Sequence, residues 1–145
     1  MSARWLPDVN IWLAACLPEH VYHRSVMQWM NGHADPIHFC RASQQGLLRL
    51  LTTTAVLAPY GIVPLSNRQA LARMKDWLSE ERIDLAEEPP RIEPDWERFA
   101  DTHLPSPKIW MDAYLAAFAV VGGYRLVTTD KAFKQFKGLN ALVLS

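Results

Sequence analysis

Between Ile109 and Val121 the chain carries a single charged side chain, Asp112, set among Trp110, Met111, Tyr114, Leu115 and Phe118. Such a run reads as a largely buried helix, and an unpaired carboxylate inside one costs several kcal/mol, roughly, unless a cation or strong donors meet it. Asp112 therefore needs a partner, either an ion pair or hydrogen bond at the helix edge or a metal ion. Asp8 and Asp130 have a different setting. Each follows a predicted strand and starts a helix, where an Asp taken alone is a cap or a partner of the helix dipole. In a parallel sheet both positions fall on the same rim. Together with Asp112 they are expected to converge on one small volume, where mutual repulsion calls for a divalent cation. An all-oxygen set without Cys or His points to Mg²⁺ or Mn²⁺ and away from Zn²⁺.

Other chemistry is poorly supported. His20 and His23 are an i, i+3 pair with no third metal ligand fixed by spacing, and are expected to pack near Trp29. No GxSxG, P-loop, GxGxxG or HExxH occurs, which removes the usual motifs of hydrolase, nucleotidase, dehydrogenase and zincin chemistry. The six tryptophans are mostly flanked by apolar residues, so core packing is the expected role.

The elements that must position the aspartates alternate along the chain. Short strands are predicted ending at Trp5-Leu6 and over Ile37–Cys40, Ile83–Leu85, Arg125–Thr128 and Ala141–Leu144. Helices are predicted from Asp8-Val-Asn10 to Cys16, over His20–Met30, from a Ser43 cap to about Thr52, from a Ser66 cap to near Ser79, and from Pro94 to about Thr102. A further helix runs from a Ser106-Pro107 start to Val121 and stops at Gly122-Gly123, and Asp130–Phe136 is helical. Strands separated by helices imply an α/β fold with a mostly parallel sheet, whose sites gather beyond the carboxyl ends of the strands.

At 145 residues, 50% hydrophobic and 21% charged, the chain is expected to be one domain, 1–145. Charge cancels overall but not locally: residues 1–75 hold seven basic and three acidic groups, 76–103 three and ten, and 104–145 five and two. A neutral total argues against a generally basic coat for gripping nucleic acid, while leaving room for a local basic surface. Cys16 and Cys40 lack CxxC spacing, and no charged leader with an apolar run opens the chain. Both features read as a reduced, cytoplasmic protein. The apolar stretch from Ile109 to Val121 falls short of the ~20 residues that span a bilayer, so no membrane anchor is expected.

With these residues in view the sequence resembles the PIN-domain proteins, and within them the VapC-type toxins of bacterial toxin–antitoxin pairs. The resemblance covers almost the whole chain. It rests most specifically on LPDVNIWLAA and WMDAYLAAFAVVGGYRLVTTDKAF, which carry the family's Asp-x-Asn, Asp-Ala-x-Leu-Ala-Ala and Thr-x-Asp-x-x-Phe in order, and more broadly on PEHVYHRSVMQWM and FCRASQQGLLRLLTT. It implies a three-layer α/β/α fold and a Mg²⁺- or Mn²⁺-dependent endoribonuclease, with Asp8, Asp112 and Asp130 as metal ligands and catalytic residues. It also implies inhibition by a VapB-type antitoxin and assembly as a homodimer. Asn10 and Thr128 are candidates to position water or a ligand, although both could simply close turns. Where many relatives place a Glu at the start of the third helix, the best match here is Gln44. An amide keeps an acceptor but no charge, which lowers the site's pull on a cation and leaves open whether it holds one metal or two. Lys108, Arg125 and Lys131 are the candidates for RNA contacts; Lys134 and Lys137 read as solvent-facing charges.

Two other readings compete. Gln44 favours a PIN-fold RNA-binding or regulatory module with weakened catalysis. A haloacid-dehalogenase-like phosphohydrolase also uses Asp at strand ends, but the chain lacks a DxDx[TV] motif.

Overall fold

Side chains of successive residues in a strand point to opposite faces, and here that alternation feeds two separate cores. A computed structural model describes residues 3–145. Its strands are β1 (Trp5–Pro7), β2 (Ile37–Phe39), β3 (Ile83–Leu85), β4 (Arg125–Thr128) and β5 (Ala141–Val143). Trp5, Ile37, Phe39, Ile83 and Val127 enter one core, whereas Leu6 and Leu126 enter the other. The sheet order is β3-β2-β1-β4-β5 and every pair is parallel, with Trp5 opposite Arg125, Leu6 opposite Leu126 and Pro7 opposite Val127.

The helices divide between the two faces. α1 (Val9–Cys16), α2 (His23–Asn31), α3 (Arg41–Leu51), the short α4 (Thr54–Leu57) and α5 (Asn67–Leu78) supply Ile11, Trp12, Val26, Met30, Leu47, Leu51, Leu57, Ala70 and Met74 to the first core. α6 (Glu93–Ala100) and α7 (Ile109–Gly122) supply Phe99, Ala113, Leu115, Ala116, Ala117 and Phe118 to the second. The three-layer α/β/α arrangement with a parallel sheet is the one expected from the sequence. No helix among the described residues is long and apolar enough to cross a membrane.

This topology places a crevice. β1 and β4 are neighbours at the centre, but β1 runs into α1 on the first face, whereas β4 leads through the 3-10 turn Lys131–Gln135 to Phe133 and Phe136 in the second core. Where strand connections part in this way, the carboxyl ends leave an opening between the layers.

Several boundaries differ from expectation for local reasons. α3 starts at Arg41 because Cys40 takes the cap position and the Ser43 hydroxyl accepts from the Cys40 amide at 3.0 Å, so Ser43 works from the third helical position. Ser106 does not cap α7 with its side chain; its carbonyl accepts from the Ile109 amide at 3.1 Å. α2 begins only at His23, because His20 Nδ1 accepts from the Tyr22 amide and closes a turn before it. His20 stacks on Tyr60 and not on Trp29. The first turn of α7 also stands out from the protein, with Trp110 59% and Met111 48% exposed, so Asp112 is half-buried.

Candidate active site

Asp8 leaves β1 with its backbone extended and its side chain turned back over α1, where Oδ1 accepts from the Ile11 amide at 3.1 Å. That bond satisfies a helix-end donor. The other oxygen, Oδ2, accepts from the hydroxyl of Thr128 at the end of β4, at 2.5 Å. The same Thr128 oxygen accepts from the Asp130 amide at 3.0 Å, and Asp130 Oδ1 then caps the next turn through the Ala132 amide at 2.9 Å. A fully buried threonine thus ties the first and third aspartates into one hydrogen-bonded rim. Capping and clustering are one arrangement here, because caps at two adjacent strand ends share a rim.

Asp112 reaches this rim from the other layer. It lines a cleft of about 230 Å³ with Asp8, Val9 and Asn10 of the β1–α1 corner, Gly46, Arg49 and Leu50 of α3, and Met111 and Leu115 of α7. Burial pushes the Asp8 carboxyl up to about 6, against the bonds from Thr128 and Ile11, and the charges of Asp112 and Asp130 push it further the same way. Asp112 is also raised, first by burial and then by Asp130. Asp130 lies outside the cleft lining but inside the electrostatic reach of both.

This donor set suits a hard divalent cation. It is made of carboxylate, hydroxyl and amide oxygen, and among the described residues no Lys or Arg forms an ion pair with any of the three aspartates. Also among the described residues, no group of three or more His, Cys, Asp or Glu is gathered tightly enough to cage an ion as it stands. The site is a loose acidic cluster with its charge uncompensated.

Residues 6–139 of the chain match the PIN domain. The chain belongs to the PIN-domain family. It is 52% identical over 143 residues to Ribonuclease VapC41 of Mycobacterium tuberculosis, covering 97% of this chain and 98% of that protein, which makes it a VapC-type PIN domain. It is also 28% identical over 138 residues to Ribonuclease VapC33 of the same species, covering 92% and 93%. Two solved structures share the fold. One is VapBC2 from Rickettsia felis bound to a DNA fragment from its promoter, with TM-score 0.68, 13% identity and coverage of 98% and 99%. The other is Mycobacterium tuberculosis VapC20, a toxin that cleaves the sarcin-ricin loop, with TM-score 0.63, 15% identity and coverage of 94% and 98%.

Within this PIN domain the remaining candidates scatter. Asn10 is exposed and lines the cleft. Gln44 does not line it; its Oε1 accepts from Arg41 at 2.6 Å. The α3 residues that do face the cleft are Gly46, Arg49 and Leu50, so the expectation for Gln44 is off by part of a helical turn. Gly46 has a steric reason: a Cβ there would meet Val9 Cγ2 at 2.7 Å, so α3 and α1 can approach this closely only without a side chain. A glycine inside a helix costs roughly 1 kcal/mol against alanine, and that cost in the middle of RASQQGLLRLL was the signal available in the sequence. Lys108 and Lys131 are exposed and outside the cleft lining. Arg125 is at the opposite end of the sheet, where it starts β4 and lies over the Trp5 ring, so it is not placed for contact at this site.

Proposed function

We propose that this VapC-type chain is the toxin of a toxin–antitoxin pair, a cytoplasmic endoribonuclease that hydrolyses RNA phosphodiester bonds with a divalent cation and is restrained by a VapB-type antitoxin. The observation that carries the reading is the uncompensated Asp8–Asp112–Asp130 cluster at the carboxyl rim of the sheet. The 52% identity to a ribonuclease along nearly the whole chain supports it.

Asp8, Asp112 and Asp130 would hold Mg²⁺ or Mn²⁺. Such an ion, when bound, lowers the pKa of a coordinated water and offsets charge building on the phosphate. The chain's own part is positioning. Thr128 fixes Asp8 Oδ2, the Ile11 amide fixes Oδ1, and Asp112 comes from a separate helix, so the carboxylates cannot turn away together. Asn10 places a neutral donor and acceptor at the mouth of the cleft. Hydrolysis in this site would leave 5′-phosphate and 3′-hydroxyl ends.

Digestion of structured RNA with and without Mg²⁺, comparing wild type with Asp112→Asn, tests the reading. Metal-dependent cleavage lost in the variant is the expected result, and metal-independent cleavage, or none, contradicts it. Metal-independent RNA binding without cleavage would instead favour a regulatory PIN domain, a reading that draws on α3 supplying Gly46 and no carboxylate to the cleft. For the antitoxin, a basic side chain that pairs in two-pronged fashion with the aspartates would block the cation. A co-purified complex should therefore lack nuclease activity, and a fully active complex would count against it. The proposed homodimer should elute at twice the 16.5 kDa of one chain.

A further inference from the structure

We infer that Arg49 is a phosphate-binding residue of the cleft, which grips the RNA backbone beside the aspartate cluster. The inference rests on the ribonuclease reading above and adds a residue to it.

Among the described residues, Arg49 is the only basic one that lines the cleft with Asp8 and Asp112. It is exposed, and among the described residues its guanidinium has neither an ion-pair nor a hydrogen-bond partner. The guanidinium groups of Arg4, Arg41, Arg73, Arg82 and Arg98, by contrast, all donate to protein acceptors. The backbone beneath Arg49 is well held. Its carbonyl accepts from the Thr52 hydroxyl at 3.1 Å and the Thr53 hydroxyl at 2.5 Å, which satisfies the end of α3. One turn earlier, Gly46 leaves the floor of the cleft free of side chain between Arg49 and the β1–α1 corner.

A positive group at the last turn of a helix is favoured by the helix dipole, which keeps the cation at this end of α3 without neutralising it. Arg49 is also the shared wall between the acidic cleft and a second depression between α3 and α5, lined by Leu48, Thr52, Asn67, Ala70 and Leu71. A strand with one phosphate at the aspartates would find its neighbouring phosphate on this wall. The planar guanidinium matches phosphate oxygens in pairs, a geometry that lysine lacks. Lys108 and Lys131 line neither depression.

The test uses the full antitoxin-free chain and an RNA hairpin. Binding is measured against salt in an Asp112→Asn background, and cleavage kinetics are measured in the otherwise wild-type chain. Arg49→Gln should weaken RNA binding about tenfold and flatten the salt dependence by about 0.7 in log–log slope, the share of one single-strand phosphate contact. It should raise KM more than it lowers kcat and leave the thermal midpoint unchanged, with Arg49→Lys in between. Arg24→Gln, a charge-matched change on α2, should move none of these. Unchanged affinity and slope in Arg49→Gln, or the same loss in Arg24→Gln, would overturn the inference. If Asp112→Asn abolishes cleavage while Arg49→Gln is silent, only the role of Arg49 fails; if Asp112→Asn cleaves like wild type, the ribonuclease site itself fails.

Discussion

The two ends of the parallel sheet treat charge in opposite ways. At the amino end, Arg82 donates to the carbonyls of Met30, His33 and Asp35, Arg4 donates to the Gly122 carbonyl, the Trp5 indole donates to Asp35 Oδ2, and Arg125 lies on the Trp5 ring. Each of these groups is engaged by a neighbouring part of the protein. At the carboxyl end, Asp8 is buried with both oxygens bonded to neutral donors, two more carboxylates stand within its field, and no cation pairs with any of them among the described residues. Folding alone gains nothing from that repulsion. The amino rim is built for stability, and the carboxyl rim keeps a negative charge that no ion pair among the described residues offsets.

The sharpest way to break this contrast is Asp112→Asn. It should lower RNA cleavage about a hundredfold or more while the fold persists, because an amide keeps the volume and loses the charge. A variant that unfolds would instead place Asp112 with the structural groups.

Next in size is the pH dependence of Asp8. Its folded-state pKa of about 6 lies above the ordinary aspartate value of 3.8, so the metal-free native state binds more protons than the unfolded state in that window. Stability therefore falls as pH rises from about 4 to 6 and levels off above it, by an amount on the order of 3 kcal/mol. Asp8→Asn should flatten that part of the profile and melt higher than wild type at pH 7. Urea denaturation across this range checks both, and a profile that rises through the window would contradict the assignment.

At the other rim the expectation reverses. Arg82→Ala should cost about 2 kcal/mol through its lost carbonyl bonds and leave cleavage per folded molecule unchanged, as read by urea melts alongside RNA assays. The smallest effect belongs to Gln44→Glu. Because Gln44 points to Arg41 and not into the cleft, the added charge should leave Mn²⁺ affinity within about twofold of wild type.

The layered fold was legible because short apolar strands and amphipathic helices alternate with clear stop signals such as Gly123, which ends α7 at φ 74°. The three aspartates were legible because each stands where a carboxylate needs a reason. The α3 wall was not. Its orientation depends on how closely α3 packs on α1, and the contact that decides this, Gly46 against Val9, joins residues far apart in the chain. Arg125 was misplaced for a related reason: proximity to Asp130 in sequence puts it near the site only if the strand between them is ignored. That strand, β4, separates the two by the length of the sheet.

Calorimetric titration of Mn²⁺ into the antitoxin-free chain at pH 6, run in two buffers of different ionisation enthalpy, tests this uncompensated negative charge most directly. The expected result is saturable binding with net proton release from the raised carboxyls, strongly weakened in Asp112→Asn and in Asp8→Asn. Absence of binding, or binding that neither substitution weakens, would contradict it.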